Sequence, residues 1–209
     1  MVALWQPGAA EPAFVLGSML PDFASMAQTR LRMEPAPAQS ADEAALHAGI
    51  ALHHRTDDVF HGSPEFVRLM QQTLDELSAR GVGRGTARAV GHVGTEMFID
   101  GELLRRAELA DAYVSALRAG GVTEAIFRDP EGAARWELLR RRLIDYGAPH
   151  DYRDPESVLA RLTAMLRGRP RLAVGPDALP ILRQALPGLQ RKVIAELSPL
   201  LARLATDLS

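Results

Sequence analysis

Apolar residues recur at intervals of three and four almost from one end of this chain to the other, and no stretch alternates apolar with polar at every second residue. The first pattern lays a stripe along a helix, while the second, which a half-buried strand requires, is missing. An all-α fold follows as the expectation.

Residues 42–61 read as a helix, with Ser40 or Asp42 as N-cap before Ala44, Ala45, Leu46 and Ile50. Ser63-Pro64-Glu65 opens the next, because serine caps well and proline suits the first helical position. Its stripe is Phe66, Val67, Met70, Leu74 and Leu77, and the glycines from Gly81 to Gly85 end it. Thr86 then caps a long segment reaching about Leu117, with a bend expected at Gly91, Gly94 or Gly101. Asp129-Pro130-Glu131 starts a helix through Arg142, and Asp154-Pro155-Glu156 one through Leu166. Pro176, Pro180, Pro187 and Gly188 predict a tail of short helices, the last from about Leu189 to Leu208. Residues 31–41, with Pro35 and Pro37, read as a loop. The length fits one domain over residues 1–209.

Charge and composition remove several classes of function. A net charge of −2 gives no global field for nucleic acid or an anionic membrane, so an anionic partner needs a local patch. With no cysteine, thiolate nucleophiles and thiolate metal sites are excluded, and any metal falls to His, Asp and Glu. Met1–Ala13 lacks the basic and apolar regions of a secretion signal, and no stretch is apolar enough to span a bilayer. A cytoplasmic protein is the expectation. Gly81-x-Gly-x-Gly85 follows no strand and fits neither nucleotide-binding spacing.

Two helices carry metal-ligand side chains four residues apart: His53, Asp57 and His61 on one, His92, Glu96 and Asp100 on the other. Four residues advance about 400°, so successive members drift by about 40° and share a face. Facing each other across a bundle, the two sets would hold a divalent cation. Asp22, in Gly17-Ser-Met-Leu-Pro-Asp22-Phe23, adds a further carboxylate. The alternative is a pair of solvated faces of mixed charge.

The string Gly49-Ile-Ala-Leu-His53-His-Arg55-Thr-Asp57, followed by His61 and Pro64-Glu65, resembles the acyl-carrier-protein phosphodiesterases. These are a divergent, metal-dependent branch of the HD phosphohydrolases. Gly17-Ser-Met-Leu-Pro-Asp22-Phe23 is similar to that family's Gly-Asn-Leu-Leu-x-Asp-Phe, and Arg169-Pro-Arg171-Leu172 to its Arg-Pro-Arg-Leu. His92-x-x-x-Glu96-Met-Phe98 stands where the family has Asp-x-x-x-Asp-His-Phe, and the matches keep their order over residues 14–172.

The resemblance implies an HD-like helical bundle and release of 4′-phosphopantetheine from a carrier protein, or cleavage of a small phosphoester. Its metal ligands would come from Asp22, His53, Asp57, His61, His92 and Glu96, one of which can instead serve as general base. Arg169 and Arg171, with Arg55 third, would face the charge developing on phosphorus. His61, His92 and Glu96 replace family aspartates, and the added imidazole favours Mn, Fe or Zn over Mg, as one ion or two. An acidic carrier would dock on a basic stripe, for which Arg135, Arg140, Arg141 and Arg142 are the candidates. Two other readings stay open: a di-iron oxidoreductase on the same scaffold, and a helical binding protein without catalysis.

Overall fold

The computed structural model describes residues 11–33 and 37–208; Pro35 and most of the Met1–Ala13 segment lie outside them. Among these residues the chain forms α1 (Pro12–Met26), α2 (Ala41–Gly62), α3 (Pro64–Ala79), α4 (Arg84–Leu103), α5 (Ala107–Ala119), α6 (Gly132–Tyr146), α7 (Pro155–Leu166) and α8 (Ala178–Asp207). The fold is all-α, and one isolated antiparallel bridge, Leu31 to Phe127, is the described β-type pairing. No described helix is long and apolar enough to cross a membrane.

The helices gather into two compact units, one of Met1–Asp57 with Leu104–Pro149, the other of Asp58–Leu103 with His150–Ser209. In the first, α1 packs on α5 and α6. Its aromatic centre is Phe23, stacked on Trp136 at 5.7 Å and edge-on to Tyr113 at 6.3 Å. Close approach of α1 to α2 needs glycine on both: a Cβ at Gly17 would meet the Leu46 carbonyl, and one at Gly49 the Phe14 carbonyl. The motif from Gly17 to Phe23 is helical despite Pro21.

In the second unit, α3 and α4 form a hairpin covered by α8, which also packs on α7. Ser63 caps α3 as expected, accepting the Phe66 amide, and the Asp154 carboxylate caps α7 through the amides of Glu156 and Ser157. Val67, assigned to the buried stripe of α3, is 43% exposed, and Leu69 is buried instead.

Two expectations are corrected. The segment from Thr86 does not run to Leu117: α4 ends at Leu103 and α5 begins at Ala107. Its glycines do not interrupt α4, which is continuous from Arg84 to Leu103. Gly91 lies under the Met70 carbonyl and Thr73, Gly94 under Leu189, and Gly101 against the Tyr152 backbone, so the missing side chains admit neighbours. The break falls at Arg105-Arg106, good helix formers with no local stop signal, because α4 and α5 belong to different units.

The tail is likewise not a set of short helices but the single helix α8, with Pro187 and Pro199 inside it. Each interior proline costs about 3 kcal/mol. Leu182, Leu186, Leu189, Val193, Leu200 and Leu204 lie buried along one stripe of α8, and each contributes about 1.5–3 kcal/mol. The continuous stripe outweighs the two defects.

A buried acid closes this unit. Glu65, 7% exposed, accepts from Arg203 Nε at 2.9 Å and from its terminal nitrogen at 3.2 Å. Those bonds hold its carboxyl below the ordinary 4.5. A carboxyl depressed by folding stabilises above its unfolded pKa and loses that contribution as pH falls through the folded value. Melting temperature should therefore decline below about pH 4.5, and less steeply in Glu65→Gln than in the parent. Parallel curves from pH 7 to 3 would refute this role.

Candidate metal centre

His61 occupies the last turn of α2, one residue before that helix ends, and His92 and Glu96 stand one turn apart on α4. What carries His61 to α4 is the junction between α2 and α3. Ser63, 2% exposed, donates its hydroxyl to the Phe60 carbonyl at 2.7 Å and accepts the Phe66 amide at 3.3 Å. One side chain thus closes α2 and starts α3, fixing His61 and Phe66 to each other. Phe66, 1% exposed, stands edge-on to both imidazoles, at 4.9 Å from His61 and 5.2 Å from His92. The two imidazoles are stacked, 4.7 Å between centroids. Ser63→Ala should cost about 1–2 kcal/mol in a urea titration, and it should weaken any metal bound at His61; unchanged stability would count against the junction.

Three ligand atoms converge here. His61 Nε2 lies 3.1 Å from His92 Nε2 and 3.0 Å from Glu96 Oε1, and His92 Nε2 lies 3.2 Å from the same oxygen. Hydrogen bonds alone cannot satisfy this triangle. An imidazole carries at most one proton on Nε2, so with Glu96 ionised two protons at most serve three edges. Whichever edge lacks a proton sets two lone pairs, or two N–H dipoles, side by side.

A cation answers all three edges at once. Donors about 2.1 Å from one ion stand about 3.0 Å apart at right angles and about 3.4 Å apart at tetrahedral ones. Side chains of His61, His92 and Glu96 are 28%, 38% and 34% exposed, which leaves room for water or substrate.

Burial alone would push the Glu96 carboxyl up, yet hydrogen bonds from His61 and His92 overcome it and bring it from 4.5 to about 2. Glu96 is accordingly a carboxylate throughout the neutral range.

Among the described residues, the group of His, Asp and Glu ligand atoms within 4.8 Å of one another is His61, His92 and Glu96. Asp22, His53 and Asp57 are not in that group and belong to the first unit. There His53 Nδ1 donates to the Ser18 carbonyl at 2.9 Å, and its Nε2 faces Asp22 Oδ1 at 3.9 Å. Giving the Nδ1 proton to a carbonyl fixes the tautomer and leaves Nε2 as an acceptor, the arrangement of a ligating histidine. Asp57 is exposed on α2, as is Arg55, and Asp100 is half-buried on α4.

Arg169 and Arg171 are exposed in the turn after α7. Two contacts tie that turn to α4: the Arg171 carbonyl lies over Gly85, and the Thr86 hydroxyl donates to the Ala173 carbonyl at 3.1 Å. The α6 arginines are a different case. Arg140 and Arg141 both bond Glu137, at 2.7 and 2.9 Å, and Arg135 bonds Asp129. Arg140 first and Arg141 second draw the Glu137 carboxyl down to about 2. Three of the four cations in the expected docking stripe are therefore paired. Sequence reasoning passed over Phe66 as a site residue, since on a buried stripe a ring packed edge-on to two imidazoles looks like any other core residue.

Comparison of the chain with protein-family models, with characterised proteins and with solved structures finds no match.

Proposed function

We propose that this protein is a metal-dependent phosphoester hydrolase of HD-like type whose cation is held by His61, His92 and Glu96. The observation that carries the reading is the triangle of donor atoms, with edges of 3.0, 3.1 and 3.2 Å, that protons cannot satisfy. Two imidazoles and one carboxylate make a donor set for Zn, Fe or Mn, and three protein ligands leave positions open for substrate. A bound divalent ion lowers the pKa of water toward neutrality and so supplies a nucleophile.

Residues of the chain do the rest. Glu96 stays ionised and holds charge against the two imidazoles, and Phe66 keeps both rings in place. Within the first unit, His53, its Nδ1 proton engaged by Ser18, offers Nε2 as a ligand with Asp22 and Asp57 for a second ion. Arg169 and Arg171, exposed in the turn after α7, supply positive charge for phosphate oxygens of the substrate. Phosphorus as the reacting centre rests on the sequence resemblance, as does a phosphopantetheinyl carrier protein as substrate.

Purified protein should contain a divalent metal by elemental analysis and should cleave a generic phosphodiester or holo carrier protein, with loss of activity on chelation. Metal present with both esters untouched would reject the hydrolase. A second reading draws on the same donor set, because two histidines and a carboxylate on one face also suit iron that activates dioxygen. Iron as the native metal, with turnover that requires dioxygen, would favour it.

A further inference from the structure

The chain is acidic overall, yet two of its segments carry no acid at all. Between Glu76 and Glu96 there is no Asp or Glu, and none between Glu156 and Asp177. The contacts of Gly85 with the Arg171 carbonyl and of Thr86 with the Ala173 carbonyl bring these two segments together. Five exposed arginines stand on them: Arg84, Arg88, Arg167, Arg169 and Arg171. Among the described residues none of the five is in an ion pair, whereas the neighbouring Glu76 is bonded by Lys192 and Glu156 by Arg183. Uncompensated positive charge is thus concentrated on one region of the second unit.

Its position relative to the metal ligands follows from helix geometry. Gly85, which faces the Arg171 turn, and His92 are seven residues apart on α4. Seven residues are about 20° short of two full turns and rise about 10 Å, so both point to one side of the helix. Arg88 lies one turn before His92, about 40° from it. The arginine region accordingly begins one turn from the donor triangle and extends away along the same side of α4.

We propose that this region is a phosphate-binding subsite, in which Arg88 and Arg171 hold a second phosphate of the substrate about 10 Å from the reacting one. The substrate class is then a small phosphoester bearing a further phosphate group. Placement relative to the reacting centre rests on the hydrolase reading, while affinity of the region for phosphate does not. Guanidinium groups suit this ligand because their planar fork bonds two phosphate oxygens together.

Calorimetry on the chelator-treated 209-residue chain with inorganic tripolyphosphate tests the subsite apart from any metal. Saturable binding that weakens with added salt is expected, with affinity about tenfold or more lower in the Arg88→Gln, Arg171→Gln double variant. Arg142→Gln, an exposed arginine on α6, should bind as the parent does, and so should His61→Ala. Absence of binding by the parent, or equal binding by the double variant, would overturn the proposal. Tighter binding of an oligonucleotide or an oligoglutamate peptide than of tripolyphosphate would overturn it in favour of a macromolecular partner. Tripolyphosphate bound without any metal taken up in a separate titration would retain the subsite and reject the hydrolase; metal without tripolyphosphate would do the reverse.

Discussion

His61→Ala and Glu96→Ala should each lower affinity for a divalent ion by more than about 100-fold, because loss of a direct ligand exceeds the 10–100-fold that loss of an outer hydrogen-bond partner costs. The reason is local: with one corner of the triangle gone, two donors remain to hold the ion. Elemental analysis after dialysis reads the effect, and circular dichroism confirms that the variants are folded. His54→Ala, exposed on the same helix as His61, should retain its metal. His53→Ala then counts ions. If Asp22, His53 and Asp57 hold a second one, occupancy falls by one equivalent; if the triangle holds the only one, occupancy is unchanged. Full metal content in both His61→Ala and Glu96→Ala would end the metal-centre reading.

Gly49→Ala should destabilise the first unit by about 3 kcal/mol or more, far beyond the ordinary cost of so small a change. The added methyl would meet the Phe14 carbonyl and the Ser18 amide nitrogen, both backbone atoms that cannot turn aside. Gly17→Ala, whose Cβ would meet the Leu46 carbonyl from the other helix, should behave alike. Displacing α1 from α2 would also draw the Ser18 carbonyl away from His53 Nδ1, a bond of 2.9 Å. Gly168→Ala, with open space around it, is the control and should be neutral or slightly stabilising. Urea midpoints within about 0.5 kcal/mol of one another across all three variants would show that the close approach is relaxed at no cost.

Part of the site was legible in the chain itself. Spacing of four put His92 and Glu96 on one side of a helix, and in the structure they share one side of α4 with their donor atoms 3.2 Å apart. Ser63 and Asp154 announced their helices because capping is a contact between residues three apart or fewer. Pairing of Glu137 with Arg140 and Arg141 was also readable, as intervals of three and four on one helix. One carboxylate shared by two arginines halves the charge that this part of α6 would offer an acidic partner.

Other features had no local signal. The turn at Leu104–Arg106 contains neither glycine nor proline, and α8 runs through two prolines that a local rule treats as stops. The arginines of the proposed subsite come from segments about eighty residues apart in sequence and count as a cluster only once Gly85 meets the Arg171 carbonyl.

The amino-acid order by itself determined the all-α class, the caps that begin α3 and α7, and the residue types able to bind a metal. These depend on interactions within about one helical turn, where spacing along the chain is distance in space. Tertiary structure decided where α4 stops, why α8 does not, and that His61 joins His92 and Glu96. Each of those turns on contacts between residues tens of positions apart, whose free energy of burial outweighs local propensity and leaves no periodic mark in the sequence.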